Sequence, residues 1–219
     1  MKTFFISITA STAVIAALVF APGANASRAS AASQQTACFK LAFTLGAVEL
    51  VELQAEVARY DVNREVTSNF YDILAFDDTY ANLARLVKAY SAQSLGLKRL
   101  AVAETANGAA VTGLKKAVTA AGFTLTPLQL KLLTEFANIE RLQGRAQAAA
   151  AAAIDRLVVA IRYYAKNYRR YPVTAATRLR SAERVSASAV EVEFALDLDE
   201  QEIEPLALDV VDIFCSPTG

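Results

Sequence analysis

Apolar residues recur at intervals of three and four along residues 127–170: Leu132, Phe136, Ile139, Leu142, Ala146, Ala149, Ala153, Leu157, Ile161, Tyr164 and Tyr168. That spacing places them on one flank of an α-helix, where they can be buried against other helices. Lys131, Glu135, Asn138, Arg141 and Arg145 run along another face. The start of the stretch is sharply marked. Thr126 precedes Pro127, and Gln129 follows, which is the pattern of a capping box with proline at the first helical position. Leu125 and Leu130 flank the cap at hydrophobic-staple spacing. Ala148 to Ala153 favour helix and close approach of a neighbour. Pro172 ends the run, because the residue before a proline resists the helical region. Unbroken, such a helix is about 66 Å long at 1.5 Å per residue. A compact chain of this size has a radius of gyration of about 16 Å. The pattern therefore predicts either an elongated bundle or a break at Gly144, where glycine costs about 1 kcal/mol relative to alanine.

The other segments read in sequence around this spine. Thr36 to Tyr60 is a helix, apolar nearly all round in its first half (Cys38, Phe39, Leu41, Ala42, Phe43, Leu45), as suits burial. Its second half is amphipathic, with Glu49, Glu52 and Glu56 on a solvated face. Asp61 caps a shorter helix with Val62, Val66, Phe70 and Ile73 inward. Asp77 and Asp78 open another, with Tyr80, Leu83, Val87 and Tyr90 along its seam, a kink at Ser94-Leu95-Gly96 and an end at Asn107-Gly108. A further helix covers Ala109 to Ala121 and stops at Gly122. From Val190 to Asp199 apolar and polar residues alternate, which argues for a strand, although Val190, Phe194 and Leu198 also fit a helical face. Leu206, Leu208, Val210 and Ile213 suit a second extended segment. The expected fold is all-α: an exported, elongated bundle of about five helices with a C-terminal acidic extended segment or short β-hairpin.

The N-terminus reads as a secretory signal. Lys2 is followed by an apolar stretch from Phe4 to Phe20, the breaker Pro22-Gly23, and the small-x-small pattern Ala24-Asn25-Ala26. The expected organisation is a signal peptide over 1–26, a flexible leader over 27–35, a helical bundle over 36–188 and an acidic segment over 189–219. Cys38 and Cys215 are the two cysteines, near the two ends. In an exported chain an even pair reads as a disulfide, here tying the acidic segment back to the bundle.

Composition narrows the chemistry. The chain has no histidine. That removes the usual general base, the commonest metal ligand and the standard catalytic triads. Di-iron bundles built on Glu-x-x-His pairs are excluded for the same reason. With both cysteines bonded, thiol catalysis and cysteine-ligated zinc drop out. Asp197-Leu198-Asp199 begins like a calcium loop, but Glu202 stands where the turn glycine belongs. No catalytic residue, metal ligand or cofactor is assigned, and the pattern points away from an enzyme. A hydrolase using carboxylates or Ser/Thr ranks third among the readings, because no nucleophile and base are visibly paired.

Charge changes the picture more. Glu140 to Arg184 holds ten Lys or Arg and three acids, whereas Val185 to Gly219 holds nine acids and no base. Either the acidic tail folds back on the basic helix end, or each block faces its own partner. Within the basic block, Arg162, Lys166 and Arg169 share one face, and Tyr164, Tyr168 and Tyr171 an adjacent one. Arginine with tyrosine is the composition of binding hot spots. The expected function is a secreted, non-enzymatic binding protein working through these six residues on a protein, glycan or lipid partner. Nucleic acid fits poorly, because the molecule is neutral and exported. The alternative is a bundle that binds an apolar ligand or acts on membranes, drawn from a chain that is 54% hydrophobic.

Overall fold

A computed structural model describes the backbone of residues 25–75 and 79–216, and side chains within 31–66 and 83–216. Among these residues the chain forms four helices: α1 (Asn25–Ala75), α2 (Thr79–Ala120), α3 (Pro127–Asn167) and α4 (Pro172–Cys215). Short connections reverse the chain each time. α1 packs along α2, α2 along α3 and α3 along α4, whereas the backbones of α1 and α4 stay farther apart and are joined through side chains, among them Arg59 with Glu193 and Leu41 beside Val210. Residues 1–24, which hold most of the expected signal segment, lie outside the described residues, as do the inward positions expected at Phe70, Ile73 and Tyr80. No described helix is long and apolar enough to cross a membrane.

The cap of α3 forms as its sequence dictates. The Thr126 hydroxyl accepts from the Gln129 N–H at 3.2 Å, and Gln129 Oε1 accepts from the Thr126 N–H at 2.9 Å. α3 then runs 41 residues without a break. Gly144 is a contact point and not a weak one. A Cβ placed there would stand 2.6 Å from Thr105 Oγ1 and 2.8 Å from the Ala101 carbonyl oxygen on α2. Gly108 on α2 meets α3 in the same way, 2.9 Å from the Ala137 carbonyl oxygen. These two glycines let α2 and α3 approach backbone to backbone.

Several expectations are corrected by the same packing. Among the described residues there are four helices and not five. The signals at Asp61 and at Asn107-Gly108 fall inside α1 and α2. Asn107 is fully buried, and its side chain bonds across helices instead of ending one. α2 stays helical through Ser94-Leu95-Gly96, where Ser94 bonds to α3. α2 ends where Gly122 takes a φ of +88° and the Phe123 N–H donates back to the Val118 carbonyl. Residues 27–35 are the opening turns of α1 and not a loose leader. Phe39 and Phe43, expected in the core, are exposed.

The largest correction concerns residues 189–216. No strand or hairpin forms among the described residues, because α4 carries straight through 188 and past Pro205 to Cys215. Its inward positions include Ser186, Glu193, Glu200 and Ala207, spaced by sevens. Val192, Phe194 and Leu198 face solvent. The alternating apolar pattern misled because the side chains turned inward are acids. Cys38 and Cys215 form the expected disulfide, joining α1 to α4 at one end of the bundle.

The core is apolar at both ends, with a polar layer and two smaller apolar clusters between them. One end gathers Leu41, Val111, Leu114, Leu133, Phe136 and Val210. The other gathers Leu83, Leu86, Leu157, Ile161 and Leu179. Between them the seams of all four helices turn to Thr44, Glu104, Asn107, Glu140, Gln143, Gln147, Glu193 and Glu200.

The glycine contacts set up a contrast for urea unfolding. Gly144→Ala should lower stability by about 1–3 kcal/mol through overpacking against α2, despite alanine's better helix propensity. Gly113→Ala, where a new Cβ meets nothing within 4 Å, should raise it by up to about 1 kcal/mol. A stabilising Gly144→Ala would contradict the backbone contact.

Candidate functional site

Two places concentrate chemistry. The first is the corner where α3 passes into α4. α3 stops at Asn167, and a turn over 168–171 is closed by the Tyr171 N–H donating to the Asn167 carbonyl at 2.8 Å. Tyr164 and Tyr168, four apart on one helical face, stack with ring centroids 5.6 Å apart. Arg169 lies 5.6 Å over the Tyr168 ring, and its Nε donates to the Tyr168 hydroxyl at 3.0 Å. Arg162 and Lys166 are exposed one turn apart, and Tyr171 is exposed at the tip. The structure thus brings the six expected residues to one corner and adds three: Arg170 over Tyr171 at 5.2 Å, and Arg178 of α4 over Tyr163 at 4.5 Å. Arg178 could not be assigned from sequence, because its place depends on the turn that folds α4 against α3. Tyr164 also packs on the core cluster at that end, so the corner rests on a fixed base.

The acidic block does not cover this corner. Its first member, Glu191, is 19 positions beyond Pro172, or about 28 Å along α4. The fold-back of an acidic tail onto the basic helix end is therefore overturned: the acids belong to a helix that leads away from it.

The second place is the polar layer inside the bundle. Glu104 on α2, Glu140 on α3 and Glu200 on α4 each bring a carboxylate oxygen within 4.8 Å of the other two. A chain of bonds aims one of them. The Thr44 hydroxyl donates to Asn107 Oδ1 at 2.8 Å, and Asn107 Nδ2 donates to Glu140 Oε1 at 2.6 Å. Gln147 Nε2 reaches Glu104 Oε1 at 3.5 Å. Toward α1, Arg59 grips both oxygens of Glu193, at 3.0 and 2.7 Å. Glu52 and Glu56 of α1, and Asp197 and Glu204 of α4, lie close enough to act on one another and on the triad.

Electrostatics follow from loss of water and like charge. Burial, then a side-chain hydrogen bond with Glu104 and the charges of Glu104 and Glu200, push the Glu140 carboxyl up to about 12. Burial and the neighbouring Glu104 and Glu204 push Glu200 up to about 8. Burial and the charge of Asp197 push Glu52 up to about 7. Glu104, Glu193, Asp197 and Glu204 rise as well, chiefly through burial, although Arg59 pulls Glu193 and Asp197 back down. By contrast, Asp155 on the outer side of α3 is held low by hydrogen bonds from Lys98 and Ser94.

Glu49 and Glu56 are exposed, as a solvated face requires, and Glu52 is half-buried; the layer was not read from the sequence because only apolar seams were sought. A heptad count that admits polar residues would have found it: Leu133, Glu140, Gln147, Ile154 and Ile161 are spaced by sevens along α3. Comparison with protein-family models, with curated proteins and with solved structures finds no match for the chain.

The raised carboxyls give an unusual pH dependence. A group that binds its proton more tightly when folded stabilises the fold below its unfolded value and loses that contribution as pH climbs through the folded value. Melting temperature should therefore fall between about pH 4.5 and 8, the span from the unfolded carboxyl range to the Glu200 value. Glu200→Gln should flatten the fall and raise stability at pH 8 by on the order of a few kcal/mol. Calorimetry giving a profile that rises over this span in the parent chain would contradict the buried acid layer.

Proposed function

We propose that this chain is an exported, non-enzymatic binding protein whose recognition surface is the basic, tyrosine-rich corner between α3 and α4, and that its ligand is an anionic macromolecule such as an acidic glycan. The observation that carries this reading is the uncovered set of Arg–Tyr pairs at the corner, with the acidic half of α4 leading away from it. Arg162, Lys166, Arg170 and Arg178 make no salt bridge among the described residues. Their charge is thus free to meet a ligand. Rings already stacked and capped by guanidinium groups lose little side-chain freedom on binding, which favours affinity. Export is supported by the signal-like N-terminus and by the disulfide, since such bonds persist in oxidising compartments.

A second reading, an apolar-ligand or membrane-active bundle, is favoured by one specific surface. Phe39, Phe43, Leu50, Leu53, Val57 and Tyr60 are each more than half exposed and follow one another at helical spacing along the outside of α1. The stripe begins at a hollow of about 570 Å³ lined by Phe39, Ala42, Phe214 and the disulfide. Contiguous exposed apolar surface of this kind marks interaction sites.

Retention on an immobilised sulfated polysaccharide separates the two. The triple change Arg162→Ala, Lys166→Ala and Arg170→Ala should cut retention at least about tenfold, with weaker binding at higher salt. Changing Phe39, Phe43 and Leu50 to serine should leave it unaltered. Retention that ignores the basic changes would sink the corner as the binding surface. Liposome co-sedimentation abolished by the serine changes would establish the second reading in its place.

A further inference from the structure

The triad of Glu104, Glu140 and Glu200 is built from three different helices, and its residues are 3%, 1% and 9% exposed. Acids alone in a bundle core are only a cost, since each loses its hydration. What distinguishes this cluster is the state of the oxygens around it. Glu140 Oε1 is occupied by Asn107, which leaves Oε2 without a hydrogen-bond partner; Glu104 Oε2 has none either.

A neutral side chain supplies the independent observation. Gln147 is 1% exposed. Its Nε2 contacts Glu104 Oε1 at 3.5 Å, so its amide head abuts the triad, and its Oε1 has no hydrogen-bond partner. Gln143, also 1% exposed and one turn beyond Glu140 on the same seam, has an unpartnered Oε1 too. Buried polar atoms in folded proteins are nearly always satisfied. Here the unpartnered buried atoms are all oxygens. The layer lacks positive charge, not acceptors. Arg59, which faces Glu193 and Asp197, is engaged with Glu193.

We propose that Glu104, Glu140 and Glu200, together with the Gln147 amide oxygen, form an interior site for a hard divalent cation of calcium's size. The donor set is all oxygen, the kind that selects such ions and not zinc or copper. Ion–oxygen bonds of 2.3–2.6 Å hold coordinating oxygens roughly 3–5 Å apart, and the triad oxygens already stand within 4.8 Å of one another. The Thr44–Asn107–Glu140 chain fixes one ligand in orientation, as bonds behind a metal ligand do. Entry is through the seam between α1 and α4, where Glu52, Glu56, Asp197 and Glu204 draw cations inward and Arg59 opposes them.

Isothermal titration of the full chain with calcium chloride and with manganese chloride at pH 7.5 tests the site. The expected result is one ion per chain and a higher melting temperature. Glu140→Gln and Glu200→Gln should each weaken binding at least about tenfold while retaining the helical circular dichroism of the parent. Gln147→Leu should weaken it without removing an acid. Asp199→Asn with Glu202→Gln, on the exposed side of α4, should leave it unchanged. The site is overturned if the parent chain binds neither ion at millimolar concentration. It is equally overturned if the triad variants bind as well as the parent, because the ion then sits on surface acids.

Discussion

A helix of forty residues has no interior of its own and is held only along its flank. That constraint governs this molecule. Each of its four helices must find a partner along most of its length, and short connections make neighbours in sequence neighbours in space. The tightest of these contacts joins α2 to α3. Gly108 and Gly144 remove the side chains that would hold the two backbones apart, and alanines at 150 and 151 continue the close face toward the far end. The polar middle depends on this frame. Glu104 and Glu140 meet because α2 and α3 are pinned on either side of them.

The helical class, the capped start of α3 and the pairing of Cys38 with Cys215 were legible from the residues, whereas the choice between an unbroken α3 and a break at Gly144 was not. The first three rest on a local rule or on elimination. The number of helices was not legible either, because Asn107-Gly108 and Asp61 resemble stop and start signals when read alone. Their actual use is tertiary: a buried amide bridging helices, and a glycine where a neighbour's backbone presses. The C-terminal helix was hidden for a related reason. Its buried stripe contains Glu193 and Glu200, so a search for apolar periodicity finds the solvent side instead. The six corner residues were legible as a group from their spacing, whereas Arg178 and the carboxylate triad come together only through packing between distant segments.

Charge along this chain is sorted by position in the fold. Bases gather where α3 turns into α4, at an exposed corner where water screens them and aromatic rings order them. Acids gather between α1 and the far half of α4, where water is partly excluded and each raises the proton affinity of the others. A chain of zero net charge thus carries a strong internal dipole of charge. The two regions respond differently to solution conditions: the corner to ionic strength, the interior to pH.

The disulfide between Cys38 and Cys215 spans 177 positions and closes nearly all of the described chain into a covalent ring. The remaining described residues are the short N-terminal part of α1 and Ser216. Tension applied on either side of that ring passes across the sulfur–sulfur bond and not through residues 39–214. In its oxidised form the enclosed bundle is therefore mechanically shielded, and only the opening turns of α1, before Cys38, bear the pull themselves. Reduction transfers the same pull to the seam between α1 and α4.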